Sequence, residues 1–297
     1  MYSQCFYTNF GGQKVLENCD NRREVVEIED GAVRISSKAF DNLPAKKIVL
    51  PDSVKTIDGQ AIVKCHNLQK IVFGKNLSDI EPEAIQACHM INEIVFPEDS
   101  VMIREIAKFV NSVKCKTENV LSLLNLLNSL ISRDKKDCIS PNLTALKQFF
   151  ADGIPRHTIR FTVGNKSVML SRFVREHDVV LVRHGLTEWI GDATYIPSPI
   201  TCAYSLWHSV GVMSESFLIN KDPAAMAYLD NLQLLKIMSE KLGSNSVIRL
   251  IDGNLFANPE RIRQVLDMFV QNNMMTEAAA LLEKAKNKNI KINNFDL

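Results

Sequence analysis

The chain has 297 residues, of which 46% are apolar and 23% charged. That is the profile of a folded protein of about two domains with ample chain to bury a core. Thirty-five Lys and Arg against 34 Asp and Glu leave a formal net charge of +1. This disfavours a nucleic-acid partner, because gripping a phosphate backbone calls for a basic excess. No run approaches the roughly 18 apolar residues of a membrane span, so no membrane is expected. The start, MYSQCFYTNFGGQKVLENCD, lacks the basic-then-apolar pattern of a secretory signal. Seven cysteines (Cys5, Cys19, Cys65, Cys88, Cys115, Cys138 and Cys202) are scattered without a CxxC pair. That usage fits reduced thiols and a cytoplasmic location.

Residues 1–24 form an N-terminal cap ahead of a repeat. Three segments then align with a period of 22 or 23 residues: VVEIEDGAVRISSKAFDNLPAK (25–46), KIVLPDSVKTIDGQAIVKCHNLQ (47–69) and KIVFGKNLSDIEPEAIQACHMIN (70–92). A fourth begins as EIVFPEDSVMIREIAKF and drifts. Apolar positions recur at Ile28, Leu50, Phe73 and Phe96 and at Ile35, Ile57, Ile80 and Ile103; a small residue recurs at Ala39, Ala61, Ala84 and Ala107. A unit this short cannot bury its own apolar face, so repeats must stack. The IVL and IVF segments suit strands. Alternation turns Ile48 and Leu50 inward and Lys47 and Val49 outward. Stacked strands then make a parallel ladder over about 25–110, with rungs roughly 4.8 Å apart.

These segments resemble the BspA-type bacterial leucine-rich repeat, which repeats a register of the form LP.SV..I...AF..C..L..I.F over about residues 25–105. Ile62 and Ile85 stand where that pattern has Phe, and the first copy is one residue short. The resemblance implies a curved ladder, recognition of another protein or of a host surface, a bacterial or phage source, and no chemistry. The cytoplasm expected from the cysteines is then that of a bacterium, or of a host cell if a phage or pathogen encodes the chain.

Alternation places Glu27, then Lys47 and Val49, Lys70 and Val72, and Glu93 and Val95 on one outward face. The valines form an apolar stripe flanked by charges, the pattern of a contact face. Lys47, Val49, Lys70, Val72, Glu93 and Val95 are therefore the candidate partner-binding residues.

Beyond the ladder, residues 111–297 read as a mainly helical domain with a small β insertion. TENVLSLLNLLNSLIS (117–132) has helical spacing with Thr117 as N-cap, and Asn142–Ala151 is a second helix. TIRFTV (158–163), a Gly164-Asn165 turn and KSVML (166–170) read as a hairpin. VVLV (179–182) suits a strand or a buried helix, and 190–220 is rich in turn formers, including Pro197 and Pro199. Asp222-Pro223 opens a helix running to Gly243. Asn258-Pro259-Glu260 and Thr276-Glu277 open a final helix pair, which is similar to the helical hairpins of ankyrin-like or armadillo-like repeats over about 30 residues. With only three and a half repeats in the ladder, this second domain is expected to cap its open end near residue 105.

Two motifs carry chemistry on paper. LVRHGLTEW (181–189) resembles the signature of the histidine phosphatase family, in which Arg183 and His184, followed by Gly185, would bind and accept a phosphoryl group. That family needs a strand there, a large α/β domain after it and a second late His. Here the stretch after Gly185 is short and reads as mainly helical, His208 is the only later His, and Leu186 replaces a Glu. Cys65-His66 and Cys88-His89 lie one repeat apart and offer a zinc donor set, yet adjacent residues point different ways. No catalytic residue, cofactor or metal is therefore assigned. The reading is a non-enzymatic protein-interaction module, an adaptor or inhibitor. The alternatives are a disfavoured phosphoryl-transfer enzyme and a self-assembling structural protein whose partner is a second copy of the chain.

Overall fold

The computed structural model describes residues 4–20, 22–111, 117–131, 143–174, 179–191, 206–288 and 290, with the backbone alone at 109–111, 117–120 and 183. Cys115, Cys138, Cys202, Pro197, Pro199 and the Arg183 side chain lie outside that description. Among the described residues, no helix is long and apolar enough to cross a membrane. The fold is an N-terminal β-solenoid of about three turns followed by a mostly helical region. The chain divides into two compact units, Met1–Cys138 with Thr158–Cys202, and Ile139–His157 with Ala203–Leu297. Each has its own apolar core.

The first unit opens on an antiparallel hairpin, β1 (Gln4–Phe10) and β2 (Gln13–Asp20). Cross-strand register sets Cys5 opposite Cys19, and the two are joined as a disulfide. The reduced-thiol expectation does not hold at this pair, because spacing along the chain cannot reveal a neighbour across a hairpin. Cys65 and Cys88 remain free and buried.

Each repeat then lays down three short strands. The first gives β3 (Val25–Glu27), β4 (Ala32–Ile35) and β5 (Phe40–Asp41). The second gives β6 (Lys47–Val49), β7 (Thr56–Ile57) and β8 (Ile62–Val63). The third gives β9 (Lys70–Val72), β10 (Asp79–Ile80) and β11 (Ile85–Gln86), and the fourth begins with β12 (Glu93–Phe96). Equivalent strands stack into three parallel ladders in register: Ile48 on Ile71 on Ile94, Ile35 on Ile57 on Ile80, and Phe40 on Ile62 on Ile85. All nine are buried, as is the small-residue column Ala39, Ala61 and Ala84. Phe73, Phe96 and Phe161 stack with ring centroids 4.8 and 5.5 Å apart, close enough for aromatic pairing to add to burial.

Two columns of each turn are left-handed: Lys38, Gln60 and Glu83 in one, Asn42, Lys64 and Ala87 in the other, all with φ between 53° and 61°. A non-glycine residue there carries about 1–2 kcal/mol of strain. Lys64 is exposed. Lys64→Gly removes the Cβ penalty and adds about 0.5–1 kcal/mol of unfolded-state entropy. Thermal unfolding is therefore expected to show a midpoint higher by about 1–2 °C, whereas Asn42→Gly is expected to be near neutral, since Asn tolerates this region.

The fourth repeat departs from strand after Phe96 and becomes α1 (Val101–Asn111), followed by α2 (Thr117–Leu130). Two features close the ladder. Strand β13 (Thr158–Val163) pairs parallel with β12, and β14 (Lys166–Ser171) pairs antiparallel with β13. The hairpin expected inside the helical domain thus extends the ladder's own six-stranded sheet, in the order β14-β13-β12-β9-β6-β3. Arg172, just beyond β14, donates to the carbonyls of His89 and Ile91, tying the hairpin to the third repeat. At the other sheet, α2 satisfies the edge of β10. Ser122 Oγ accepts from the Ile80 N–H at 3.1 Å, and Asn125 Nδ2 donates to the Ile80 carbonyl at 2.8 Å. An edge strand covered this way cannot template further pairing. The cap expected from a second domain is supplied by segments of the same unit.

Helix α4 (Val179–Gly191) belongs to this unit as well, so VVLV is helical. Val179, Val182, Leu186 and Trp189 share its buried face, and Trp189 meets Phe161 edge-on at 6.2 Å.

The second unit holds α3 (Leu143–Asp152), α5 (Leu206–Asn220), α6 (Pro223–Leu229), α7 (Leu232–Leu242), α8 (Ser244–Asp252), α9 (Pro259–Gln271) and α10 (Met275–Asn287). Residues 206–220, expected as turns, form a helix that is buried nearly all round. The helix expected from Asp222 to Gly243 is two. Asp222 caps the first through Ala225 N–H, and Asn231 caps the second through Leu234 N–H, so a second N-cap interrupts the apolar run. The Asn258-Pro259 start is as expected.

Within this unit Glu215 is fully buried. Its carboxylate accepts the Arg156 N–H at 2.8 Å and the His157 N–H at 2.9 Å, and lies 2.9 Å from His157 Nδ1. The His157 ring sits edge-on to His208, centroids 6.3 Å apart. Gly211 packs so closely on that ring that a Cβ there would fall 2.4 Å from it.

Candidate interaction face

The outward alternation of the six-stranded sheet builds two rows of side chains. One runs Val25, Lys47, Lys70, Glu93, Arg160, Met169; the other runs Glu27, Val49, Val72, Val95, Thr162, Ser167. The rows are covered toward β14, where Met169, Arg160 Nε and Thr162 Oγ1 are buried. The structure therefore brings Lys47, Val49, Lys70, Val72, Glu93 and Val95 together on one face, adjacent in register, each partly exposed. Spacing between rungs of about 4.8 Å makes the three valines one continuous apolar strip. Lys70 Nζ pairs with Glu93 Oε2 at 3.0 Å. Lys46 pairs with Glu24 at 2.6 Å and Lys75 with Asp52 at 3.2 Å. The Lys46 ammonium holds the Glu24 carboxyl below the usual range by hydrogen bonding. The Lys75 backbone N–H does the same for Asp52, assisted by its ammonium. A flat strip of β-branched side chains bordered by charges of both signs can take up apolar surface at its centre and polar groups at its edge.

Sequence reasoning stopped this face at Val95. Arg160 and Thr162 continue both rows, and the signal for them was present: TIRFTV alternates as KIVF does.

The two chemical motifs do not assemble. LVRHGLTEW is helical over α4, with His184 exposed and 3.8 Å from Glu188 one turn on. Its backbone is not the strand end that a phosphoryl-binding His requires, and His208 belongs to the other unit. Cys65 and Cys88 point into the core while His66 and His89 are exposed. Cys65 Sγ lies against the carbonyls of Phe40 and Val63, and Cys88 Sγ against those of Ile62 and Gln86. The hydrogen bond with the Cys88 sulfur, together with burial, pushes the Cys65 thiol up. Among the described residues no cluster of metal-ligating side chains forms.

The three-ladder solenoid with period 22 or 23 defines a repeat protein of the leucine-rich class. Residues 12–130 match the BspA type leucine rich repeat region in six copies. The match reaches further on both sides than residues 25–105, taking in β2 and α2, and ends at residue 130. Among solved structures, a leucine-rich repeat protein from Bacteroides capillosus is 21% identical, with 33% of this chain and 82% of that chain covered and a TM-score of 0.31. A leucine rich cell surface protein from Faecalibacterium prausnitzii is 20% identical, with 31% of this chain and 32% of that chain covered and a TM-score of 0.25. The chain thus spans about a third of that second protein's length. No curated protein matches the chain.

Proposed function

We propose that the chain is a non-enzymatic adaptor or inhibitor that binds another protein through the outer face of the six-stranded sheet. The repeat family supports an interaction module in general terms. The observation that carries the specific reading is the in-register strip of Val49, Val72 and Val95 beside Lys47, Lys70 and Glu93. Val72 is central, with a valine on either side of it. A carboxylate there would be desolvated by any partner covering the strip. Val72→Glu is expected to weaken the complex by about 2 kcal/mol, roughly thirtyfold in Kd, with the circular dichroism spectrum and unfolding midpoint of the free protein unchanged. Affinity capture from a lysate of the source organism, wild type beside variant, reads this out. Equal retention of the captured protein by both would move the binding surface elsewhere.

A further inference from the structure

The ladder's three sheets end differently. β12 is continued by β13, and the β10 edge is satisfied by Ser122 and Asn125. The sheet β5-β8-β11 simply stops at β11. Its hydrogen bonds run from each rung to the next. Lys38, Phe40 and Asn42 donate to the carbonyls of Gln60, Ala61 and Val63, and Gln60, Ile62 and Lys64 donate to those of Glu83, Ala84 and Gln86, all at 2.8–3.0 Å. The same three positions in the last rung are Glu83, Ile85 and Ala87. Their N–H groups have no acceptor among the described residues. An unpaired sheet edge of this kind is a ready template for another strand. Here they border a cleft of about 530 Å³, within the size range of ligand sites. Its far wall is the polar side of α2, with Asn125, Asn128 and Ser129, and Ile131 closes one end. Glu83, which holds Gln86 Nε2 at 2.9 Å, is the charged residue of the lining.

We propose that this slot is a second binding site, distinct from the valine strip, which takes an extended segment of another protein as the next rung of the β5-β8-β11 sheet. The register dictates the chemistry. Main-chain carbonyls at the first, second and fourth positions of the segment accept from Glu83, Ile85 and Ala87, as those of Gln60, Ala61 and Val63 do from the rung before them, and a cationic side chain at the first of these positions meets the Glu83 carboxylate. Strand addition of this type draws affinity from main-chain bonds and selectivity from the flanking side chains.

The probe is a fluorescein-labelled synthetic hexapeptide, GKAIVK, which copies Gly59–Lys64 except for a lysine in place of Gln60 so that a cation faces Glu83, since that segment already pairs in this register on the other side of β11. Titrated against the full chain, it is expected to bind saturably, as read by fluorescence anisotropy. Ser129→Trp, which fills the slot, and Glu83→Lys, which reverses its charge at an exposed position, are each expected to weaken binding about tenfold or more, whereas Val72→Glu leaves it unchanged. Two variants guard against one failing to fold, as checked by near-ultraviolet circular dichroism. Absence of saturable binding, or binding indifferent to both substitutions, overturns the proposal. So does slow hydrogen exchange at the Ile85 and Ala87 amides of the chain alone or on raising its concentration, since that would mean the edge is filled by the chain itself or by a second copy.

Discussion

Glu215→Ala is expected to destabilise the helical unit by about 3–5 kcal/mol, the cost of stripping the acceptor from a buried hydrogen-bonded centre. The carboxylate is the acceptor for two backbone N–H groups, those of Arg156 and His157, and the neighbour of the His157 ring. Each buried donor left without an acceptor costs about 1–3 kcal/mol, and an alanine leaves no room-filling substitute. Glu215→Gln keeps one acceptor oxygen but turns an amide NH₂ toward the donors, so an intermediate loss is expected. The two tryptophans make the measurement local. Trp189 lies in the core of the first unit and Trp207 packs against that of the second. In a Trp189→Phe background, urea unfolding followed by Trp207 fluorescence should shift to lower denaturant in Glu215→Ala. In a Trp207→Phe background, the Trp189 transition should move by less than about 0.5 kcal/mol, as for sites that share no partners.

Gly74→Ala is the corresponding lesion in the ladder. A Cβ at residue 74 would stand 2.1 Å from the Pro51 carbonyl oxygen and 2.8 Å from Asp52 Cα, both backbone atoms of the preceding rung. No rotamer relieves such a contact; the rungs themselves must part. The cost is expected to be on the order of 3 kcal/mol, the upper end for overpacking, read as loss of the Trp189 transition at low urea. Gly59→Ala is the control. There the nearest atom is the Pro82 carbonyl at 3.1 Å, and a few tenths of an ångström of adjustment suffices, so the shift should be small.

The period and alternation of the ladder were legible because each rung repeats the same physical demand: an apolar residue inward at Ile48, Ile71 and Ile94, and a small one at Ala61 and Ala84. The outward strip followed from the same alternation. Three features were not legible, each for its own reason. Strand β13 joins the ladder across a gap of more than sixty residues from β12, and nothing local in TIRFTV says whether it pairs only with KSVML or also with EIVF. Helix α5 carries turn-forming Ser and Gly together with Glu215 in an apolar run, and its helicity is decided by burial and by partners at Arg156 and His157 that lie far away in sequence. Cys5 and Cys19 meet only because the hairpin register aligns them. In all three cases the missing information was a long-range pairing, which periodicity does not encode.

The most direct measurement is site-specific photo-crosslinking from the outer strip. A photoreactive amino acid is placed in turn at positions 49, 72 and 95, and at Met275, which is exposed on α10, and the crosslinked products in a lysate of the source organism are compared by mass spectrometry. The expected result is one protein crosslinked from all three strip positions and absent from the Met275 sample. Three positions that share no product, or a product equally abundant from Met275, would contradict the assignment of this face.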